Sequence, residues 1–216
     1  TEKDGVLYAR GILDDKAPLF ICLYILKELK EKGVKSNKKI RLFVGCNEET
    51  GWKDVAHFTE NHKFPEYGFS PDGDFPAIYC EKGIVVATLT MPLAGSGIRS
   101  AHGGSAPNIV PDECVVETAS GTHSAEGKPA HGSAPWNGEN AIDKVLTHLS
   151  QTEGGKFADA YTALFGGDVY GRRLGLNVES PDSGPLSLNV GMLRVENGEI
   201  RLTVDIRHPE TIDSQA

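Results

Sequence analysis

The feature that most constrains the fold is a long apolar helix followed by a long apolar strand. The segment "APLFICLYILKEL", residues 17–29, is apolar on nearly every side, which is typical of a helix buried on most of its faces. Gly33 is expected to end this helix as a C-terminal cap. The segment "KKIRLFVGC", residues 38–46, is too uniformly apolar for a half-exposed strand and predicts a buried one.

The same alternation of strand and helix continues to residue 83. A strand is predicted within residues 5–12, a short helix over "TGWKDVAHFTENH" at residues 50–62, and a short strand at Ala77–Cys80. Strands that alternate with helices are typical of an α/β domain with a mostly parallel sheet. We therefore predict an α/β fold whose first domain comprises residues 1–83.

The pattern changes after Gly83 and predicts a second domain of α+β type over residues 84–216. "IVVATLTM" is an alternating strand, and "LSLNVGMLRVENGEIRLTVDIRHP" is a hairpin that turns at residues 196–198. Between them lies a long region rich in Gly, Ser, Ala and Pro, to about residue 138. The helix over "ENAIDKVLTHLSQ" is amphipathic, and its predicted inner face consists of Ala141, Ile142, Val145, Leu146 and Leu149.

Charge and cysteine content limit the partners of the chain. A formal net charge of −8 argues against nonspecific attraction to nucleic acid or to an anionic membrane. No apolar run approaches the roughly 20 residues that a membrane span needs. The four cysteines form no C-x-x-C pair, and three of them lie in apolar runs, which favours buried free thiols. We expect a cytoplasmic protein with neither nucleic-acid nor membrane partners.

Acidic residues gather where the predicted parallel strands end. These are the pair Asp14–Asp15, the pair Glu48–Glu49, and Asp72. Functional groups in such a sheet collect at the carboxyl ends of the strands, and converging carboxylates repel one another unless cations lie between them. The acidic set therefore indicates a metal site, and the alternative is that each acid is a solvated loop residue.

The two adjacent glutamates, Glu48 and Glu49, are expected to have different roles. Neighbouring side chains in an extended segment point in opposite directions, so these two do not serve one function together. One would bind a metal ion while the other holds or deprotonates the metal-bound water. The residue types alone do not decide which glutamate has which role.

Four segments of the chain resemble one enzyme family. "YARGILDDKAP", "GCNEETGW", "FSPDGDFPAIYCEKG" and "KPAHGSAPWNGENAI" together resemble the M20 family of di-zinc metallopeptidases, and most closely its peptidase V dipeptidases. The resemblance implies a zinc-peptidase catalytic domain with a mostly parallel sheet, into which an α+β lid domain is inserted. It also implies two zinc ions per active site, with manganese or cobalt as alternatives.

The resemblance assigns roles to the acidic residues. It implies that Asp14 bridges the two zinc ions and that the peptide bond after it is cis. Glu48 then becomes the general base that acts on the bridging water, and Glu49 a ligand of one zinc ion. Asp72 becomes a ligand of the other zinc ion, while Asp15 is assigned a structural role.

The resemblance also assigns three residues of the second domain. His131 matches a lid histidine that stabilises the tetrahedral oxyanion, Arg207 matches an arginine that contacts the substrate carboxylate, and Asn108 matches a lid asparagine near the same site. His102 competes with His131 for this role, because its segment "AHGGSAP" is similar to the segment "AHGSAP" that contains His131. His131 is preferred because "WNG" and a helix follow it, as the family pattern requires. The alternative for His131 is an ordinary loop histidine.

The sequence departs from the family pattern at the metal ligands. The family supplies two zinc-binding histidines, one in an upstream H-x-D motif and one near the far C-terminus, and neither occurs in these 216 residues. We therefore interpret the chain as a central fragment that needs N- and C-terminal segments of a longer parent. Its oligomeric state is left open.

The predicted function is hydrolysis of dipeptides or small peptides by a water molecule activated by two zinc ions. One alternative is another M20 amidohydrolase, either a deacylase or a carboxypeptidase. The other alternative is a metal-deficient fragment that acts as a scaffold rather than a catalyst. A nucleotide-binding domain is disfavoured because the chain has no G-x-G-x-x-G or P-loop signature.

Overall fold

The chain forms two compact units in a computed structural model that describes residues 1–48, 51–73 and 76–213. The first unit spans residues 1–78 and the second spans residues 79–216. The assignment of the predicted domains, 1–83 and 84–216, to a catalytic portion and a lid stays a prediction. None of the described helices is long and apolar enough to cross a membrane.

The first unit contains two helices and two very short strands. The strands pair with each other in antiparallel fashion, and an irregular turn at Ile12–Lys16 leads into the first helix. Both helices fall where the sequence predicts them. The elements are β1 (Glu2–Lys3), β2 (Val6–Leu7), α1 (Ala17–Glu31) and α2 (Lys53–Asn61).

Helix α1 ends as predicted but is not buried as predicted. Gly33 takes a left-handed φ of 66°, and its N–H donates to the carbonyl of Lys30, so that it closes the last turn. No residue of α1 is buried, and Phe20 and Ile21 are more than half exposed. The prediction that α1 is buried on most of its faces is therefore wrong. The described residues of this unit do not cover the helix closely enough to bury any of its residues.

The structure does not confirm the mostly parallel sheet. Within the described ranges, every strand pairing is antiparallel. The predicted strands at residues 38–46 and Ala77–Cys80 are irregular instead. An extended segment becomes a strand only when a neighbouring segment satisfies its backbone groups, and residues 38–46 have no such neighbour in the described part of the chain.

The second unit is built on a six-stranded antiparallel sheet, so the described chain is a mixed α/β structure dominated by that sheet. The strands lie in the order β3-β10-β9-β4-β5-β6, and a separate two-stranded ladder, β7–β8, completes the set. The bounds are β3 (Gly83–Pro92), β4 (Ile98–Gly103), β5 (Glu113–Thr118), β6 (Thr122–Glu126), β7 (Glu179–Ser180), β8 (Gly184–Pro185), β9 (Ser187–Glu196) and β10 (Glu199–His208).

Two helices, α3 (Ala141–Thr152) and α4 (Lys156–Leu164), contribute to the hydrophobic core of this unit. The inner face predicted for α3 is confirmed, since all five of its predicted residues are buried. Asn140 caps the helix, and its side-chain oxygen accepts the N–H groups of Ile142 and Asp143. Burial of one apolar stripe against the sheet therefore fixes the position of α3.

The predicted hairpin is confirmed, whereas several strands, among them β4, β5 and β6, were not predicted. Asn197 and Gly198 both have positive φ angles, of 53° and 78°, as a tight two-residue turn requires. Strands β4, β5 and β6 lie within the region rich in Gly, Ser, Ala and Pro. The frequent turn-forming residues there interrupt the alternation of apolar and polar residues, so no strand was predicted. All four cysteines are free, as predicted, but only Cys114 is buried.

Candidate active site

Three carboxylates of the first unit form a like-charged group. Asp14 and Asp15 lie in the turn before α1, and the peptide bond between them is cis, which confirms that expectation. Burial raises the pKa of the Asp15 carboxyl above its usual value, and the charges of Asp72 and then Asp14 raise it further. Two of the predicted metal ligands, Asp14 and Asp72, thus act on the same neighbouring carboxylate.

The negative charge of this acidic group is not compensated within the described residues. One carboxylate oxygen of Asp15, Oδ1, is buried and has no hydrogen-bond partner there. No Lys or Arg of the described ranges forms an ion pair with Asp14, Asp15 or Asp72. A buried acceptor among like charges is costly, and a bound cation would remove that cost.

The described residues fit part of a zinc site. Carboxylate oxygens are zinc ligands, so Asp14 and Asp72 have the required donor chemistry. However, no group of three or more His, Cys, Asp or Glu side chains within residues 1–48, 51–73 and 76–213 is arranged to hold a metal ion. The predicted ligand Glu49 lies outside the described residues, and a zinc site takes at least three protein ligands.

The predicted base, Glu48, is an exposed residue at the edge of a described range. The backbone just before it is fixed by Asp54, whose Oδ2 accepts the N–H groups of Cys46 at 2.5 Å and Asn47 at 3.1 Å. These hydrogen bonds, that of Cys46 first, lower the pKa of the Asp54 carboxyl. Asp54 received no role from the sequence, although it lies within the "GWKD" segment that follows the two glutamates.

Two of the predicted residues of the second unit lie beside each other. The N–H of Gly132, which follows His131, donates to the carbonyl of Asn108 at 2.7 Å. Ile109 and His131 also form an antiparallel bridge. The loops that carry Asn108 and His131 are therefore joined by backbone hydrogen bonding, while the competitor His102 is an exposed residue of β4.

The surroundings of His131 select one form of its ring. The backbone N–H of Ser133 can only donate, and it lies 3.2 Å from Nδ1 of His131. The hydroxyl of Ser133 lies 2.8 Å from the same nitrogen. Nδ1 is therefore the acceptor, so the neutral ring carries its proton on Nε2. An exposed histidine in this form presents an N–H donor to a ligand.

Arg207 is held by a buried carboxylate that the sequence analysis did not single out. Oδ1 of Asp205 accepts Nε–H of Arg207 at 3.0 Å, and Oδ2 accepts Nη2–H at 3.1 Å. The side chain of Asp205 is fully buried, whereas that of Arg207 is 16% exposed. The signal was present in the sequence, because the D-x-R spacing in a strand places both side chains on one face.

The structure thus forms two groups of predicted residues, one in each unit. Asp14 and Asp72 lie around Asp15 in the first unit. Asn108 and His131 lie on joined loops of the second unit, and Arg207 is tied to the same unit through Asp205. The roles assigned to all of these residues, and to Glu48 and Glu49, stay predictions.

Comparison with known proteins identifies the family. The model of "Peptidase family M20/M25/M40" matches residues 1–207. The chain therefore belongs to this peptidase family, as the resemblance of the four segments predicted. Members of the family generally use divalent metal ions, usually zinc.

Curated relatives share the match over nearly the whole chain. It is 33% identical to "Putative dipeptidase YtjP" of Bacillus subtilis (strain 168) over 253 residues, with 99% of this chain and 55% of the relative covered. It is 27% identical to "Putative dipeptidase SH1171" of Staphylococcus haemolyticus (strain JCSC1435), with 97% and 54% covered. The chain thus spans about half the length of these relatives.

Proposed function

We propose that this chain carries the catalytic carboxylates and the substrate-binding face of a metal-dependent dipeptidase of the peptidase V type. The observation that carries the proposal is the acidic group of Asp14, Asp15 and Asp72, whose buried oxygen, Oδ1 of Asp15, has no hydrogen-bond partner among the described residues. Membership of a peptidase family and relatives named as dipeptidases support the same reaction class. A peptidase of this kind needs a cation site, a base and a group that binds the substrate terminus.

Asp14, Glu49 and Asp72 would hold the metal ions, with Asp14 shared between two of them. Two zinc ions, or manganese or cobalt in their place, would supply the Lewis acidity that lowers the pKa of a bound water. We propose that the remaining ligands, two histidines in the family pattern, come from residues outside the present sequence. On this proposal the first unit is part of a catalytic domain in which residues 38–46 join a mostly parallel sheet, and the second unit is its lid.

The residues of this chain then perform the proton transfers and bind the substrate. Glu48 takes a proton from the attacking water and returns it to the departing amine. His131 donates Nε2–H to the oxyanion that forms from the peptide carbonyl. Arg207 binds the terminal carboxylate of the substrate. Asn108, on the loop beside that of His131, contacts the substrate near the same site.

A substitution of Glu48 tests the mechanism in the full-length protein. We expect Glu48→Gln to lower the turnover of a dipeptide by about a hundredfold to ten-thousandfold, because a general base contributes that much, while zinc content stays unchanged. Glu60→Gln, which changes an exposed glutamate of α2, serves as the matched control and should leave turnover unchanged. Turnover of Glu48→Gln equal to that of the control would remove Glu48 from the mechanism.

Substrate and metal measurements separate the alternatives. Cleavage of free dipeptides in preference to N-acylated amino acids would support the dipeptidase, and the reverse preference would support a deacylase. Release of the C-terminal residue from longer peptides would indicate a carboxypeptidase. The scaffold alternative draws on the missing three-ligand group in the described residues. Less than stoichiometric zinc in the purified polypeptide, measured by elemental analysis, would favour it.

A further inference from the structure

Two buried polar residues lie opposite each other on the central strands of the large sheet. Asn189 of β9 and Asp205 of β10 are direct cross-strand partners, and both are at most 1% exposed. Their chain neighbours Leu188, Val190 and Val204 point into the hydrophobic core. Because side chains alternate along a strand, Asn189 and Asp205 lie on the opposite face of the sheet. A buried polar pair on that face needs specific hydrogen-bond partners.

Asn189 holds the loop that carries Asn108. Its Nδ2 donates to the carbonyl of Pro107 at 2.7 Å and to the carbonyl of Ile109 at 3.0 Å. The two bonds lie on either side of Asn108, so they fix the backbone of that residue. The loop rests directly on β9, since a side chain at Gly191 would collide with the backbone of Pro107.

Asp205 holds Arg207 and contacts the loop of His131. A guanidinium has five N–H donors, and Asp205 accepts two of them, from Nε and Nη2. The remaining donors, on Nη1 and Nη2, have no other hydrogen-bond partner within the described residues, so that end of the group can bind a second carboxylate. A Cβ placed on Gly132 would lie 2.9 Å from Oδ2 of Asp205 and 3.1 Å from the backbone of Asn108.

We propose that Asn189 and Asp205 form a positioning pair that sets Asn108 and Arg207 to recognise the free terminal carboxylate of a short peptide. The inference rests on the proposed function and names the substrate feature that the second unit selects. Neither member of the pair touches the substrate. Asn189 acts through the loop of Asn108, and Asp205 acts through the guanidinium of Arg207 and through Gly132.

The experiment compares a free dipeptide with its C-terminal amide on the zinc-loaded full-length protein. The wild type is expected to prefer the free dipeptide in kcat/KM. In Asp205→Asn, we expect KM for the free dipeptide to rise about tenfold or more. The new side chain is uncharged, so it holds the guanidinium of Arg207 without charge-assisted bonds from a carboxylate. The values for the amide substrate should stay unchanged. Asp112→Asn, an exposed carboxylate of the same unit, is the matched control.

A second variant keeps the test decisive should Asp205→Asn fail to fold. Asn189→Ala leaves Asp205 paired with Arg207, and we expect it to raise KM for the free dipeptide as well. Amide hydrogen exchange gives a readout that is independent of turnover. The N–H of Gly132, which donates to the carbonyl of Asn108, should exchange faster in Asn189→Ala than in the exposed control Asn177→Ala.

The outcomes for the pair and for the proposed function are distinguishable. If the wild type cleaves no dipeptide, the proposed function is wrong, and hydrogen exchange alone decides whether the pair positions the loops. If the wild type discriminates between carboxylate and amide, but both folded variants keep that ratio and the exchange rate of Gly132, the positioning pair is wrong. A parallel loss on both substrates would equally overturn it, since it would indicate a merely structural role.

Discussion

The two units differ in how they use similar apolar sequence. Helix α1 of the first unit is apolar nearly all round, yet none of its residues is buried, and Ile21, for example, is 59% exposed. Helix α3 of the second unit has a single apolar stripe, and Ile142 and Leu146 of that stripe are fully buried. All buried residues of the described chain lie in the second unit. An apolar pattern therefore shows which face favours burial, while a partner surface decides whether burial occurs.

The same contrast holds for the predicted site residues. Asp14, Glu48 and Asp72 of the first unit lie exposed in turns and irregular segments. In the second unit, Arg207 is held by a fully buried carboxylate, and the loop of Asn108 is held by a buried amide. Groups held by packed neighbours keep one geometry, whereas exposed acids depend on a cation or another partner to bring them together.

The largest expected effect comes from matched leucines in the two units. Leu146→Ala removes a fully buried side chain of α3 and should lower the free energy of unfolding by about 2–5 kcal/mol. Leu23→Ala removes a half-exposed side chain of α1 and should change it by about 0.5 kcal/mol or less. Denaturant unfolding followed by circular dichroism measures both. An equal cost would mean that α1 is covered in solution, and the contrast would be broken.

Glycine substitutions give the next largest effect. In Gly191→Ala the new Cβ would collide with the backbone of Pro107, and we expect a loss of about 1–3 kcal/mol because the loop must move. Gly68→Ala in the first unit meets no atom within 4 Å and should change stability by about 0.5 kcal/mol or less. Thermal unfolding of the two variants checks the difference. A tolerated Gly191→Ala would show that the loop of Asn108 is not packed on β9.

The cap of α3 is expected to contribute less. Asn140→Ala removes the acceptor of two backbone N–H groups and should cost about 0.5–2 kcal/mol. Asn140→Asp keeps that acceptor but loses the hydrogen bond from Nδ2 to the carbonyl of Val190 in β9. It therefore separates the stability that the helix cap contributes from the stability that the bond to β9 contributes. Helices α1 and α2 have no side-chain cap. Equal losses in both Asn140 variants would assign the stability to the strand contact alone.

The smallest expected effect is a pH dependence in the second unit. Hydrogen bonds from Ser180 and then Ser183 lower the pKa of the Glu210 carboxyl from 4.5 to about 2. Because the pKa of Glu210 is lower in the folded state, its ionised carboxylate stabilises the fold. This contribution to folding stability is complete above pH 4.5 and is lost as the pH falls through about 2. Glu210→Gln should flatten the stability profile in that window, as measured by unfolding at several pH values. Glu28→Gln, on α1 of the first unit, serves as the control.

Local signals in the sequence were sufficient for several elements. The stop at Gly33, the stripe of α3 and the turn at Asn197–Gly198 each depend on a few neighbouring residues, and each is confirmed. Strands β4 to β6 were missed because each has only five or six residues between turn formers. Residues 38–46 are irregular for the opposite reason, since their strong local propensity finds no strand to pair with among the described residues.

The candidate site divides in the same way. The sequence singled out the acidic residues by type and order, and in the structure the charges of Asp72 and Asp14 both raise the pKa of Asp15. The sequence also predicted Asn108, His131 and Arg207 as site residues, but it did not single out Asn189, which bonds to the loop of Asn108, or Asp205, which holds Arg207. Asn189 bonds to Pro107, 82 positions away, and no short motif encodes such a contact.

The sequence by itself determined the family, the residue types of the candidate site, and the elements whose signals are local. The tertiary structure alone decided which apolar faces are buried and which buried polar groups hold the loops of the second unit. The physical reason is that helix caps and turns depend on neighbouring residues, whereas burial and cross-strand pairing depend on register and on distant surfaces.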